Sequence, residues 1–146
     1  MKIAIGSDHI GYPLKLHIAG YLTKKGHFCR DYGAFGEERV DYPVYAKAVA
    51  DAVVSGENEV GILICGTGIG ISIAANKIKG IRAVACSEPY SAMLARQHNN
   101  ANILAFGSRV IGTATAEMIT DMFLSAEYEA GRHQKRLDMI AEMENG

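Results

Sequence analysis

The sequence predicts an α/β protein: three layers, with a five-stranded parallel sheet in the order 2-1-3-4-5, helices on both faces and an extra helix at the C-terminal end. Three observations predict it. Short apolar runs of strand type alternate with stretches whose apolar residues recur at helical spacing, which implies a covered parallel sheet with right-handed crossovers. The run Val60-Gly-Ile-Leu-Ile-Cys65 is apolar throughout, as a strand buried on both faces must be. It breaks into Gly66-Thr-Gly-Ile-Gly70 and then resumes with helical spacing, so it reads as strand, tight loop, helix.

The other elements follow in order. Lys2-Ile-Ala-Ile-Gly6 is a short buried strand, followed by Ser7-Asp8-His9 and a helix in which Leu14, Ile18, Tyr21 and Leu22 share a face. Gly26 stops that helix. His27 to Asp31 is a second strand, placed near an edge because it carries charge, and Gly33 to Arg39 is a polar loop. Asp41-Tyr-Pro43 opens a helix, with Asp41 as its expected cap and Tyr45, Val49, Ala52 and Val53 as its buried stripe.

After the central strand, Ile71, Ala74, Ala75 and Ile78 line a third helix and Arg82 to Cys86 is a fourth strand. Ser87-Glu-Pro89 supplies a cap and an early proline for a helix reaching about His98. Asn102 to Gly107 is the fifth strand, and Ala116, Ile119 and Phe123 mark a fifth helix. Gly131 to Glu144 closes the chain as a helix with a narrow stripe of Leu137, Ile140 and Ala141.

Composition limits the function classes. The 146 residues, 49% hydrophobic and 21% charged, suit one domain spanning residues 1–146. A formal net charge of −1 gives no electrostatic ground for nucleic acid or an anionic membrane as partner. No apolar run approaches the roughly 18–20 residues needed to span a bilayer, and the N-terminus goes straight into a strand pattern. A cytoplasmic protein is expected. Cys29, Cys65 and Cys86 are odd in number and widely spaced, with no CxxC pair, which argues against a disulfide frame or a zinc site.

Topology then locates a site. Ligands of such sheets bind beyond the carboxyl ends of the strands where strand order reverses, here between strands one and three. Those ends carry Ser7-Asp8-His9 and Cys65 to Gly70, bringing together a carboxylate, an imidazole, a thiol and a loop of glycine amides that attract negative charge. Arg109, just after strand five, lies on the same edge. A thiol at a helix N-terminus can ionise more readily than a free one, whereas the ordinary fate of a free cysteine is burial as a small hydrophobe.

His98 and Asn99 precede strand five and so belong at the opposite edge, about 17 Å away for a five-residue strand at ~3.3 Å per residue. If they act in this site, a second copy of the chain must supply them, which predicts a two-fold dimer with two equivalent shared sites. Arg132 and Arg136, spaced i, i+4, lie on one helix face and can converge on a phosphate or pair with acids such as Glu129.

These residues match a known family. Gly6-Ser-Asp8-His9, Asp41-Tyr-Pro, Gly61 to Lys77, Ile81-Arg-Ala-Val, Cys86-Ser-Glu-Pro-Tyr-Ser-Ala, Arg96-Gln-His98-Asn99, Ala105-Phe-Gly-Ser-Arg109 and Gly131-Arg-His-Gln-Lys-Arg136 resemble ribose-5-phosphate isomerase type B along the whole chain. That family includes allose- and galactose-phosphate isomerases. The resemblance implies a Rossmann-like fold, a cofactor- and metal-free aldose–ketose isomerase of the pentose phosphate pathway, and a homodimer or tetramer with sites drawn from two subunits.

It also implies residue roles. Cys65 is the base and His98, from the partner subunit, the acid that opens the sugar ring, with Asp8 assisting and Thr67 stabilising an oxyanion. Asp8, His9, Tyr42, Gly66, Thr67, Gly68, Ile69, Gly70, Asn99, Arg109, Arg132 and Arg136 bind the substrate, with His9 and the three arginines on its phosphate. A sister branch uses a glutamate that aligns with Ile71; an isoleucine cannot take a proton, so the cysteine variant applies.

Two alternatives remain at this level. One is a hexose phosphate as substrate, since pocket depth is not written in the sequence. The other is a non-catalytic nucleotide-binding module. Gly66, Gly68 and Gly70 follow a strand and Glu88 comes at roughly the 20-residue distance of a ribose-binding acid, but the third glycine is one position early and the motif lies on strand three.

Overall fold

The computed structural model describes residues 1–146. Its elements are β1 (Lys2–Ser7), α1 (Tyr12–Lys24), β2 (Phe28–Asp31), α2 (Tyr42–Val54), β3 (Val60–Cys65), α3 (Ile69–Ala75), β4 (Ala83–Ala85), α4 (Pro89–Asn99), β5 (Ile103–Gly107), α5 (Thr113–Ser125) and α6 (Arg132–Asn145). All strand pairs are parallel.

Side-chain alternation along the strands builds two cores. Ile3, Ile5, Val60, Ile62, Ile64, Leu104 and Phe106 point to one face, where Ile18 and Leu22 of α1, Ala92 and Ala95 of α4, and Ala116, Ile119 and Phe123 of α5 cover them. Ala4, Leu63, Cys65, Ile103 and Ala105 point to the other, under Val49 and Val53 of α2 and Ile71 and Ala75 of α3. The carboxyl edge is thus carried by strands buried on both sides.

One expectation of topology is corrected. The observed order is β2-β1-β3-β5-β4, with β5 rather than β4 beside β3. The cause is the composition of the two strands. β5 is buried over all five residues and carries apolar side chains for both cores, whereas β4 has three small residues with Ala85 exposed. A short strand with little to bury suits the edge, where one row of backbone groups goes unpaired. The switch between β1 and β3 survives. What changes is that the turn after β5 now lies directly against the glycine loop: Ser108 N–H donates to Cys65 O (2.9 Å) and Arg109 N–H to Gly66 O (3.1 Å).

Smaller differences concern helix ends. Asp41 occupies the N-cap of α2 without a side-chain hydrogen bond, and Pro43 sits in the first turn. Glu88 caps α4, its carboxylate accepting from Ser91 N–H at 3.0 Å. Ile78 lies beyond the end of α3 but still packs against the core. Within one subunit α6 buries His133 and Leu137, while Ile140 and Ala141 of its expected stripe are exposed.

Candidate active site

The site begins where β3 ends. Gly68 holds φ +80°, and a Cβ there would sit 2.7 Å from the Phe106 backbone. That close approach folds the loop back so that Gly68 N–H points at Cys65 Sγ, 3.2 Å away. Cys65 is 5% exposed. Thr67 Oγ1 accepts from Ile69 N–H at 3.1 Å, which leaves its hydroxyl hydrogen free to donate outward. Two of the five loop amides are therefore committed within the loop. The N–H groups of Gly66, Thr67 and Gly70 have no protein partner and are the free donors of the loop.

At the end of β1, Asp8 is 5% exposed and its Oδ1 accepts from Gly11 N–H at 2.9 Å, leaving the second oxygen unclaimed. His9 Nδ1 accepts from Val40 N–H at 3.2 Å, so that bond assigns the ring hydrogen to Nε2, the nitrogen left facing outward from the loop contact. Ile69 and Tyr42 are exposed at the mouth; a Cβ on Gly70 would lie 2.7 Å from the Tyr42 ring, so the tyrosine packs directly on that glycine. Arg109 Cδ lies 3.8 Å from where a side chain on Gly66 would begin.

Two clefts flank the loop. One of about 520 Å³ is walled by Ile10, His17, Ser108 and Arg109 among others, and one of about 240 Å³ by Thr67, Ile69, Cys86 and Gly107 among others. Cys65 is in the wall of neither, so a single subunit leaves the sulfur a narrow opening. The remaining thiols are no competitors as bases: burial pushes Cys86 up to about 11 and raises Cys29 above its ordinary value.

The structure does not bring His98, Asn99, Arg132 and Arg136 to this edge. The Asn99 and Asn100 carbonyls accept from the side chain of Arg82, the residue before β4, so α4 ends at the amino edge of the sheet. There the His98 and His133 rings stack with centroids 4.2 Å apart, and both Nε2 atoms face Glu129 Oε1, at 3.8 and 3.7 Å. Arg132 and Arg136 start α6 beside them. None of the ion pairs engages Arg109, Arg132 or Arg136, so the alternative of Glu129 as their surface partner is not realised.

His98, Glu129 and His133 are also the one cluster with metal-ligand chemistry, their donor atoms lying within 4.8 Å of one another. The two imidazole rings of this cluster are stacked, inclined by 15°.

Sequence reasoning missed two features. His133 was not singled out, although a histidine one residue from Arg132 in a helix start was visible. Lys15 is fully buried within the apolar stripe of α1, where its ammonium bonds Asp31 Oδ1 (2.7 Å) and the Ala34 carbonyl. Asp31 also accepts from Gly33 N–H at 2.8 Å, and Gly33 and Ala34 pair with Ser7. The lysine thereby supports the backbone from which Asp8 and His9 project.

Fold and site together describe a small α/β protein with a thiol, a carboxylate and an imidazole set around a loop of glycine amides. A family model described as Ribose/Galactose Isomerase matches residues 3–140, and the chain belongs to that family. It is 59% identical over 143 residues to ribose-5-phosphate isomerase B of Escherichia coli K12, covering 98% of this chain and 96% of that protein. Among solved structures, ribose-5-phosphate isomerase B of Clostridium thermocellum superposes with a TM-score of 0.98 at 54% identity, covering 99% and 98% of the two chains. The ribose-5-phosphate isomerase B of Mycoplasma genitalium with bound ribulose-5-phosphate gives 0.93 at 43%, covering 99% and 96%.

Proposed function

We propose that this protein interconverts D-ribose 5-phosphate and D-ribulose 5-phosphate by proton transfer through a cis-enediolate, in sites shared between the two subunits of a homodimer. The observation that carries the reading is the division of the chemistry between two edges of one sheet. Cys65, Asp8, His9, Thr67 and Arg109 gather at the carboxyl edge, and His98, Asn99, Arg132 and Arg136 at the amino edge. A two-fold partner that sets its amino edge over this carboxyl edge completes the site. The exposed Ile140 and Met143 of α6, beside the edge strand β4, offer that partner an apolar surface.

In the shared site the partner's copy of His98 donates a proton to the furanose oxygen while Asp8 takes the proton of the anomeric hydroxyl, which frees the aldehyde. The Cys65 thiolate then removes the proton from carbon 2 and returns it to carbon 1, while the hydrogen of the carbon-2 hydroxyl passes to the carbon-1 oxygen. Oxyanion charge meets the free N–H groups of Gly66, Thr67 and Gly70 and the Thr67 hydroxyl; a comparable preorganised donor is worth about 100- to 1,000-fold in turnover. His9 and the three arginines hold the phosphate. Hydrogen moves as a proton, so the chemistry requires no redox group. Three unpaired cysteines suit a reducing compartment, the cytoplasm.

The test is proton exchange. Cys65→Ala should bind the substrate yet fail to exchange the carbon-2 proton with deuterated solvent, followed by NMR. Undiminished exchange would remove the cysteine as base.

A further inference from the structure

Glu129 and His133 have no part in the reaction as just described, yet they are the groups packed around the His98 ring. His133 lies at the start of α6, 7% exposed, with its ring against His98 at 4.2 Å and 15°. Its buried Nε2 has no hydrogen-bond partner. Burial first, then the neighbouring His98, Arg132 and Arg136, lower its pKa from the ordinary histidine value, against an opposing pull from Glu129. The shift favours the neutral ring, which can lie on its neighbour without placing two cations face to face.

The backbone that delivers these groups is itself strained. Ala130 holds φ 55° and Gly131 φ 53°, left-handed conformations that an alanine adopts only when its surroundings impose them. This turn reverses the chain, His133 N–H donates to Ala130 O (3.0 Å), and His133, the second residue of α6, lies over His98. On the near side, Glu129 N–H donates to Gln97 O at 2.9 Å, which ties the Glu129 backbone to the residue next to His98. An unpaired buried nitrogen and a left-handed alanine within four residues are two local costs carried for one placement.

We propose that His133 and Glu129 are positioning residues for His98, the first as the platform that fixes its ring plane and the second as the carboxylate that fixes which nitrogen faces the shared site. This rests on the reading of His98 as the group that opens the sugar ring. Neither residue need touch the sugar. They act by holding the His98 ring at the angle from which the nitrogen not turned to Glu129 meets the ring oxygen of a substrate bound to the other subunit, where small errors of placement are costly.

The experiment uses an asymmetry of the two sugars. D-Ribose 5-phosphate closes through its 4-hydroxyl and must be opened, whereas D-ribulose 5-phosphate has its 5-hydroxyl esterified and stays open. His133→Ala and Glu129→Ala should lower kcat on ribose 5-phosphate by about 10- to 100-fold with KM within about twofold, while deuterium exchange at carbon 1 of ribulose 5-phosphate continues near the wild-type rate. His133→Phe, which keeps a ring in the stack and removes the unpaired nitrogen, should recover most of the turnover lost in His133→Ala and serves as the folded reference.

An unchanged kcat in His133→Ala, a phenylalanine variant as poor as the alanine, or a defect confined to KM would each overturn the proposal, the last because it marks a phosphate ligand. Exchange that falls in step with turnover would also overturn it, as loss of the whole site. His98→Asn is run alongside. If it turns over ribose 5-phosphate like wild type, the assignment of His98 is wrong and the positioning role fails with it. If it is inactive while His133→Ala is normal, only the positioning role fails.

Discussion

At the scale of single residues, the site depends on close backbone approaches that admit no side chain. Gly107 ends β5 against the glycine loop, where a Cβ would meet Thr67 Cα at 2.5 Å and Gly66 O at 2.6 Å. Gly107→Ala should therefore displace the loop that carries the free amides. Unfolding in urea is expected to show a loss of about 1–3 kcal/mol, the usual range for overpacking, with kcat reduced as well. Gly20 makes the contrast: it lies within α1 with nothing inside 4 Å of an added Cβ. Gly20→Ala should raise stability by about 0.5–1 kcal/mol and leave turnover unchanged. The glycine loop after β3 was legible as a motif. The need for glycine at 107 was not, because it arises from a neighbour 40 residues away in sequence.

At the scale of elements, α6 shows how spacing and placement differ. Arg132 and Arg136 fall on one face by helical periodicity, and both guanidinium groups are left without an acidic partner in the subunit. Arg136→Ala should raise KM for ribose 5-phosphate by about 10- to 100-fold, the range for a lost charged hydrogen bond, with kcat largely kept. An unchanged KM would take Arg136 out of the phosphate clamp. Where the helix begins was visible from Gly131, but the left-handed turn through Ala130 was not. That turn decides that His133 meets His98 and that Glu129 faces the histidines instead of the arginines.

At the scale of the whole molecule, strand order sets which groups share an edge. With β5 beside β3, Arg109 is bound to the glycine loop through its own backbone, while His98 is carried to the far edge by α4. The shared-site reading makes a quantitative demand on mixed subunits. Cys65→Ala and His98→Asn are each expected to be inactive, but a heterodimer holds one site with both wild-type groups. Random exchange in a two-fold dimer should restore about a quarter of wild-type activity, measured after mixing equal amounts. No recovery despite exchange demonstrated by mass spectrometry would show that each site is made within one chain.

What the sequence determined by itself is local in origin. Apolar periodicity set the strands and helices, because burial on one face or two leaves a period of 3.6, 2 or an unbroken run. The order of residues at strand ends set which chemistry stands at which edge. The tertiary structure decided what depends on contacts between distant segments: the exchange of β4 and β5 in the sheet, the buried Lys15 under the Asp8–His9 backbone, and the stack of His133 on His98. These are settled by competition for buried area and by long-range hydrogen bonds, which leave no periodic trace along the chain.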